Sequence, residues 1–393
     1  MNVLAEVQGK SLVERARQAA AVAGQFADDV DREGRFPHEA VAAMKEARLL
    51  GIQVPVHLGG EGASIADIAE ISSIISQECA SSSMIFAMHH IKLSSEVEHG
   101  IGDAWHEGFM RRVADEQLLI ASSTTEAGIG GNLRNSICGI EVEGDICRLT
   151  KEATVISYGE QADAILITSR AHPDAAMTDQ VMTVFLKGQY TLEKTHDWDT
   201  MGMRGTRSEG FLFKGEAPKE QILPQPFAEI AAESMLAVCH ILWSGVWYGI
   251  AVNAVARAQD FVRKAAKANP GSMPPGALRL AEVSSKLQLI KSNVIAGLQK
   301  YDEAKANPAS LTSMGFLVAM NNIKLASSQG VLDVINHCML IAGIAAYKNN
   351  TPYSLSRHLR DAHSAQIMIS NDRILSNTSN LLLAHKQNTS LLG

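Results

Sequence analysis

Arg357-His358-Leu359-Arg360-Asp361-Ala362-His363-Ser364-Ala365-Gln366-Ile367-Met368-Ile369-Ser370-Asn371-Asp372 is the stretch on which the reading of this chain turns. Its first half is crowded with charge, and its second half carries Ile367, Met368 and Ile369. A branched hydrocarbon such as Ile369 cannot take a proton, while Asp361 and His363 border this half of the stretch. From Ser364 to about residue 383 the spacing predicts a helix.

Upstream of this stretch the helical period also dominates. Leu280, Val283, Leu287, Ile290, Val294 and Leu298 form one apolar stripe, and residues 313–338 repeat the pattern. The segment 269–275 reads as an exposed loop. Between residues 118 and 226 the pattern changes. Short β-prone runs at 119–124, 140–143, 146–150, 164–168, 181–186 and 211–213 are punctuated by Gly, Asp and Pro, as in a compact β domain. Before residue 118 the helical period returns. Leu12, Ala16, Ala19, Ala20, Ala23 and Ala27 predict a helix over 11–30. A break at Gly34-Arg35-Phe36-Pro37 precedes a second helix over 38–49. The Gly-rich run from Val54 to Gly62 opens onto a helix over 64–80, and another is expected over 83–100. Three domains are therefore expected, 1–117 helical, 118–226 β and 227–393 helical.

The composition bounds the function. Of 393 residues, 46% are hydrophobic and 20% charged, the balance of an ordinary globular protein. A net charge of −7 argues against broad nucleic-acid binding, which needs a basic surface to displace counterions. Cys79, Cys138, Cys147, Cys239 and Cys338 are scattered and odd in number, with no C-x-x-C pair. They predict neither a metal site nor a disulfide framework. The most apolar run, 237–256, is interrupted by His240 and Asn253, so no membrane span is expected. Residues 1–15 lack a leader-like apolar run, and a cytoplasmic location is the expectation.

The first candidate for chemistry is Thr124-Thr125-Glu126-Ala127-Gly128-Ile129-Gly130-Gly131-Asn132. Its glycines let the backbone approach a ligand and present N–H donors, while the threonines add hydroxyls. It is neither a P-loop nor a Gly-x-Gly-x-x-Gly fingerprint. Three further blocks follow it in order: Thr154-Val155-Ile156-Ser157-Tyr158-Gly159, then Met201-Gly202-Met203-Arg204-Gly205-Thr206, then Arg360-Asp361-Ala362. With Gly34-Arg35-Phe36-Pro37 and the 54–62 run, these blocks resemble the acyl-CoA dehydrogenase family from about residue 29 to 385.

The resemblance implies an α+β multidomain fold: an all-α N-terminal domain, a β-barrel-like middle domain and a C-terminal four-helix bundle. It implies FAD (or FMN) between the latter two, in a homodimer or homotetramer. Carried over by position, Thr124 and Thr125 would bond the flavin ring, and Gly130 and Gly131 would approach its phosphates. Ser157 would sit beside the reactive ring nitrogen, and Asn371 would offer its amide. Asp361 is expected to pair with a nearby Arg.

Departures from the family pattern are as telling as the matches. Counting forward from Asp361 places Ile369 where the family commonly carries its catalytic Glu. Val155 stands where a Trp usually packs on the flavin. Residues 262–267 lack the Phe-Gly that follows an FAD-reaching Arg, leaving Arg263 or Lys264 as substitutes. The glycine turn before the last helix is reduced to Ala342-Gly343-Ile344. Some members place the base at the start of the first bundle helix, which corresponds here to Cys239 and His240, with Glu233 nearly two turns away. His240 and His363 are thus the catalytic candidates, with His89-His90 facing the pocket as a further option.

Three functions compete. The first is α,β-dehydrogenation of an acyl-CoA or acyl-carrier-protein thioester with a displaced base, passing electrons to an electron-transfer flavoprotein. The second is a monooxygenase that takes reduced flavin from a separate flavin reductase and uses oxygen, needing no Glu. The third is a non-catalytic flavin- or thioester-binding protein. The frequency of dehydrogenases in the family favours the first narrowly, while Ile369 and Val155 favour the second.

Overall fold

A computed structural model describes residues 10–129, 132–386 and 390. Among the described residues five α-helices come first: α1 (Leu12–Glu33), α2 (His38–Glu46), α3 (Ile65–Glu78), α4 (Ala80–His99) and α5 (Ala104–Glu116). Local chemistry sets several of these boundaries. Ser11 and Glu14 close a capping box on α1, and Ser64 and Asp67 close one on α3. Asp103 accepts from the Trp105 and His106 amides to start α5, a helix the periodicity did not reveal. Gly34 ends α1 in the left-handed conformation, at φ 61°. Nearly every residue of α4 is buried, so it forms the middle of this layer.

Helix gives way to strand between Glu116 and Ile120. The strands are β1 (Ile120–Ser123), β2 (Glu141–Glu143), β3 (Ile146–Ser157), β4 (Ala164–Arg170), β5 (Gln180–Leu186), β6 (Tyr190–His196) and β7 (Ser208–Pro218). They form two sheets, ordered β1-β4-β5 and β2-β3-β7-β6. Only β1 and β4 pair in parallel; the other pairs are antiparallel. Strand β6 escaped the sequence reading because its residues are mostly exposed and polar, so no apolar alternation marks it. Strand β3 extends well beyond the expected 146–150, and its pairing with β7 shifts register between Ala153 and Ile156. Such bulges re-aim side chains, and this one falls at Thr154 and Val155.

Helices resume at Phe227. A short turn, Phe227–Ile230, passes through a π-turn at Ala231–Met235 into α6 (Leu236–Ala268). Then come α7 (Ala277–Ala306), α8 (Met314–Ala342), α9 (Ser356–His363) and α10 (Asn371–Ala384). The long helices α6, α7 and α8 pack with α10 as a bundle, and α6 also covers α3 and α4.

Two expectations are corrected here. The helix expected from Ser364 is broken: a 3-10 turn, Ser364–Gln366, and a bend precede α10 at Asn371. The continuous helical run Phe227–Ala268 is also long and apolar enough to cross a membrane, contrary to the reading of 237–256. However, 83% of its apolar window is buried inside the protein, where α3, α4, α7 and α8 take the place of lipid.

Candidate functional site

Three distant parts of the chain meet at the turn 201–206. A β-carbon on Gly202 would stand 2.2 Å from the Arg360 carbonyl oxygen, so only glycine lets α9 approach this closely. Asp361 Oδ1 accepts the Met203 amide at 2.7 Å, and Met203 itself adopts a left-handed φ of 52°. The expected Asp361–Arg pair is therefore corrected. Arg360 instead binds Asp31 at the end of α1, and the Asp361 carboxylate secures the turn. Burial, with help from the Asp31 charge, pushes the Asp361 carboxyl up to about 6, against the pull of Arg357, the Met203 amide and Arg360. Arg204 donates to the Asp31 carbonyl and Arg207 to the Gly34 carbonyl, so the N-terminal layer is fastened to the same turn.

From this turn a line of hydroxyls runs to the end of β3. Thr206 Oγ1 donates to the Met203 carbonyl at 2.9 Å. Its proton thus committed, Thr206 accepts from Ser208 at 2.9 Å, and Ser208 in turn accepts from Ser157 at 2.7 Å. Every proton in the line is spent, and Ser157 Oγ is left presenting lone pairs. Tyr158, the next residue, has a φ of 42°, rarely adopted by an aromatic residue. Its amide donates to the Thr206 and Arg207 carbonyls and its hydroxyl to Ile120 O, which fixes the strand end.

Strand β1 leaves the sheet beside β3, where Thr125 Oγ1 donates to the Val155 carbonyl at 3.3 Å. Thr124, Thr125, Val155 and Ser157 are all half-buried at these strand ends. Glu126 folds the following loop back by accepting from Ile137 N, Cys138 N and Ser136 Oγ. Burial works against that carboxylate's charge, but the Ile137 amide, the Ser136 hydroxyl and the Lys151 charge bring it below its ordinary value.

The bundle side is organised by a lysine. Lys324 on α8 is fully buried, and its Nζ donates to the Ile369 carbonyl and to Asn371 Oδ1, each at 2.6 Å. The ammonium also lies 5.7 Å from the Trp247 ring centre, a cation–π arrangement. Burial lowers its pKa to about 8. His240 on α6 is buried with Nδ1 unbonded, and burial with the Lys324 charge lowers it to about 4, so its ring is neutral at pH 7.

The predicted residues distribute unevenly around this frame. Thr125 and Ser157 come together across β1 and β3, with Thr124 adjoining. Asn371 lies instead with Lys324 and Ser328 in the bundle, its amide bonded to both. Gly130 and Gly131 fall outside the described residues. His363 is exposed in the last turn of α9, and Arg263 and Lys264 are exposed near the end of α6.

His89 and His90 do not face a pocket; both are satisfied core residues. His89 Nε2 donates to Leu50 O at 2.7 Å while Nδ1 accepts from Ile120 N, and His90 bonds the Leu49 carbonyl. Lys92 and Lys324 were missed, although each had a signal: a lone lysine inside an apolar helical run, Ile91-Lys92-Leu93 and Ile323-Lys324-Leu325. Among the described residues no cluster of His, Cys, Asp and Glu could hold a metal.

Comparison with known proteins bears on the same frame. The acyl-CoA dehydrogenase N-terminal domain matches residues 8–115. Amino sugar nitrososynthase DnmZ of Streptomyces peucetius is 25% identical over 355 residues, covering 86% of this chain and 84% of that protein. Human mitochondrial short-chain specific acyl-CoA dehydrogenase is also 25% identical, over 87% of this chain and 81% of its own. Among solved structures, FMN-bound TdsC from Paenibacillus sp. A11-2 superposes with a TM-score of 0.82 at 16% identity. That match covers 96% of this chain and 98% of TdsC. Residues 8–115 thus carry an acyl-CoA dehydrogenase N-terminal domain, and the chain as a whole, with its helical, β and helical parts in this order, is similar to acyl-CoA dehydrogenases and to their divergent relatives.

Proposed function

We propose that this protein is a flavin-dependent oxidoreductase of the monooxygenase type, using reduced flavin and oxygen, rather than an acyl-thioester dehydrogenase. One observation carries this reading: the site has no free buried carboxylate. The four buried carboxylates among the described residues are Glu96, Glu126, Glu209 and Asp361. Each is engaged elsewhere, with His106, the 136–138 loop, Arg207 and the Met203 amide respectively. Ile369, whose carbonyl is held by Lys324, supplies none. Losing a positioned base costs roughly 10²–10⁴-fold in rate, and no buried carboxylate here is free to take that role.

The flavin, FMN or FAD, fits against the half-buried hydroxyls of Thr124, Thr125 and Ser157. Gly130, Gly131 and Asn371 are the further contacts in this reading. When bound, the flavin supplies the electrons that activate oxygen. Ser157, with its proton committed to Ser208, offers an acceptor suited to an N–H donor, which reduced flavin carries at its central ring and oxidised flavin lacks. His240 is neutral and can accept a hydrogen bond from substrate without acting as an acid at pH 7. The relatives support the reading in part: TdsC is described as a dibenzothiophene monooxygenase and DnmZ as a nitrososynthase. A flavin reductase is the partner this chemistry needs.

Exposed Leu278, Leu289, Leu340, Ile344 and Tyr347 are apolar surface suited to further copies of the chain, in a homodimer or homotetramer. The domain limits 1–117, 118–226 and 227–393 belong to the same proposal.

The test sets two experiments side by side. Anaerobic flavin-loaded protein should keep its colour with a panel of acyl-CoA thioesters. Protein loaded with reduced flavin should bind it tightly and slow its reoxidation by oxygen relative to free flavin. Bleaching by any thioester would return the reading to dehydrogenation, with Glu233, half-buried in the π-turn, as a candidate for a displaced base.

A further inference from the structure

Three lysines are buried around the junction of the helical layers and the sheets: Lys92, Lys151 and Lys324. Two have oxygen partners. Lys151 Nζ donates to the Thr168 carbonyl and hydroxyl and to the Ser123 carbonyl, and Lys324 Nζ donates to Ile369 O and Asn371 Oδ1. Lys92 differs. Its side chain, 2% exposed, reaches only the Met235 thioether, at 3.2 Å. Sulfur of this kind is a weak acceptor, and an ammonium carries three donors. Among the described residues no carboxylate lies within ion-pair distance of it.

The surroundings add no compensation. Burial dominates the Lys92 environment, the neighbouring Cys239 thiol is itself pushed up to about 12 by burial and stays neutral, and the Lys151 charge adds a repulsion. Met235 ends the π-turn at Ala231–Met235, a distortion common at functional sites, and its unbranched side chain can swing aside readily. Along the same face of α4, one and two turns further on, stand Ser95 and His99, both directed at Ser234 of that turn. His89, one turn earlier, touches the first residue of β1, so this face leads from the strand ends to the π-turn.

We propose that Lys92 anchors an anionic group of the substrate, a carboxylate or comparable oxyanion, which takes the place held by Met235 Sδ. The oxyanion receives the two N–H donors that the fold leaves unused, and the Lys92 charge acquires its counterion only when substrate is bound. The inference rests on the reading of the strand ends, which this face of α4 reaches through His89 and Ile120, as the flavin site. It adds a substrate class to that reading: molecules with an anionic end rather than wholly apolar ones.

Calorimetric titration of the flavin-loaded protein tests this with matched probes, acetate and benzoate against acetamide and benzamide. At least one carboxylate should bind roughly ten-fold more tightly than its amide, as expected for a buried charge-assisted contact. Lys92→Met, close to it in shape, should erase that preference while the melting temperature holds or rises, and Lys92→Gln should do the same. Flavin content, read by absorbance, separates the two readings. Anion preference without flavin binding would overturn the flavin site and leave Lys92 standing. Flavin binding with equal affinity for acids and amides, with no binding of either, or with the preference intact in both variants, would overturn the role of Lys92.

Discussion

Lys324 Nζ stands 2.6 Å from the Ile369 carbonyl, so a buried ammonium on α8 holds the backbone at the position where a catalytic carboxylate was to be expected. The same ammonium holds Asn371, and with it the start of α10. Removing it leaves the Ile369 carbonyl without this donor and Asn371 Oδ1 with only the longer, 3.3 Å contact from Ser328 Oγ. Lys324→Met is therefore expected to lower stability by about 1–3 kcal/mol, despite removing a buried charge. Urea denaturation at pH 7.5 measures this; an unchanged midpoint would mean the segment holds without the lysine.

The pH dependence of that lysine has a definite sign. Its folded pKa of about 8 lies below the 10.5 of an unperturbed lysine. A group lowered in this way contributes stability that is present above its unfolded pKa and lost as pH falls through the folded one. The unfolding free energy should thus rise between pH 8 and 10.5 and be flatter in Lys324→Met. Lys92, lowered to about 8 chiefly by burial, adds a slope of the same sign.

Ile369 is half-buried, so a carboxylate there can be accommodated without opening a cavity. Ile369→Glu places it near Lys324. Wild-type protein should show no anaerobic flavin bleaching with butyryl-CoA, and the folded variant should acquire it. A folded variant that retains flavin yet never bleaches would mean residue 369 does not face the reacting carbon.

The hydroxyl line from Met203 to Ser157 predicts a preference between flavin states. With its proton committed, Ser157 favours reduced over oxidised flavin. Ser208→Ala frees that proton and should narrow the ratio of the two dissociation constants by about ten-fold, the worth of one hydrogen bond of ~1.4 kcal/mol. Anaerobic fluorescence titration of both states reads this ratio. No change in the ratio would leave the line a purely structural feature.

Asp361 gives a prediction of opposite pH sense to the lysines. Its carboxyl is raised to about 6 from 3.8, so its contribution is full below the unfolded value and is lost as pH rises through the folded one. Asp361→Asn keeps an acceptor for the Met203 amide and should be as stable as wild type at pH 7.5, with a flatter profile between pH 4 and 6. Asp361→Ala loses the acceptor and should be weaker by about 1–3 kcal/mol. Thermal melts across this pH range distinguish the two.

Much of the frame was legible in the residues. Ser11 and Ser64 announce their helices, and the apolar periods of α1 and α7 are plain. Gly202 and Asp361 sit in short motifs whose spacing survives divergence, because a backbone contact tolerates no side chain at one and needs an acceptor at the other. What could not be read depends on long-range packing. Strand β6 lies along β7 with an exposed, polar sequence, and the break before α10 depends on Lys324, some 45 residues upstream. The histidine pair looked functional because one sequence does not show that the Leu49 and Leu50 carbonyls are waiting for it. Lys92 and Lys324 went unread, although each stands alone inside an apolar helical run, because only the packed structure shows that they are buried.

The contact between Arg360 and Asp31 joins residues 329 positions apart, and the turn at 201–206 is clasped between their helices. Closing so long a loop is entropically slow compared with forming the helices themselves. During synthesis the strand ends carrying Thr125 and Ser157 would emerge and pair well before α9 exists to clasp them. The clasp around the 201–206 turn is therefore completed last, and a chain truncated before α9 should retain most of its helices and strands while lacking a finished place for a ligand.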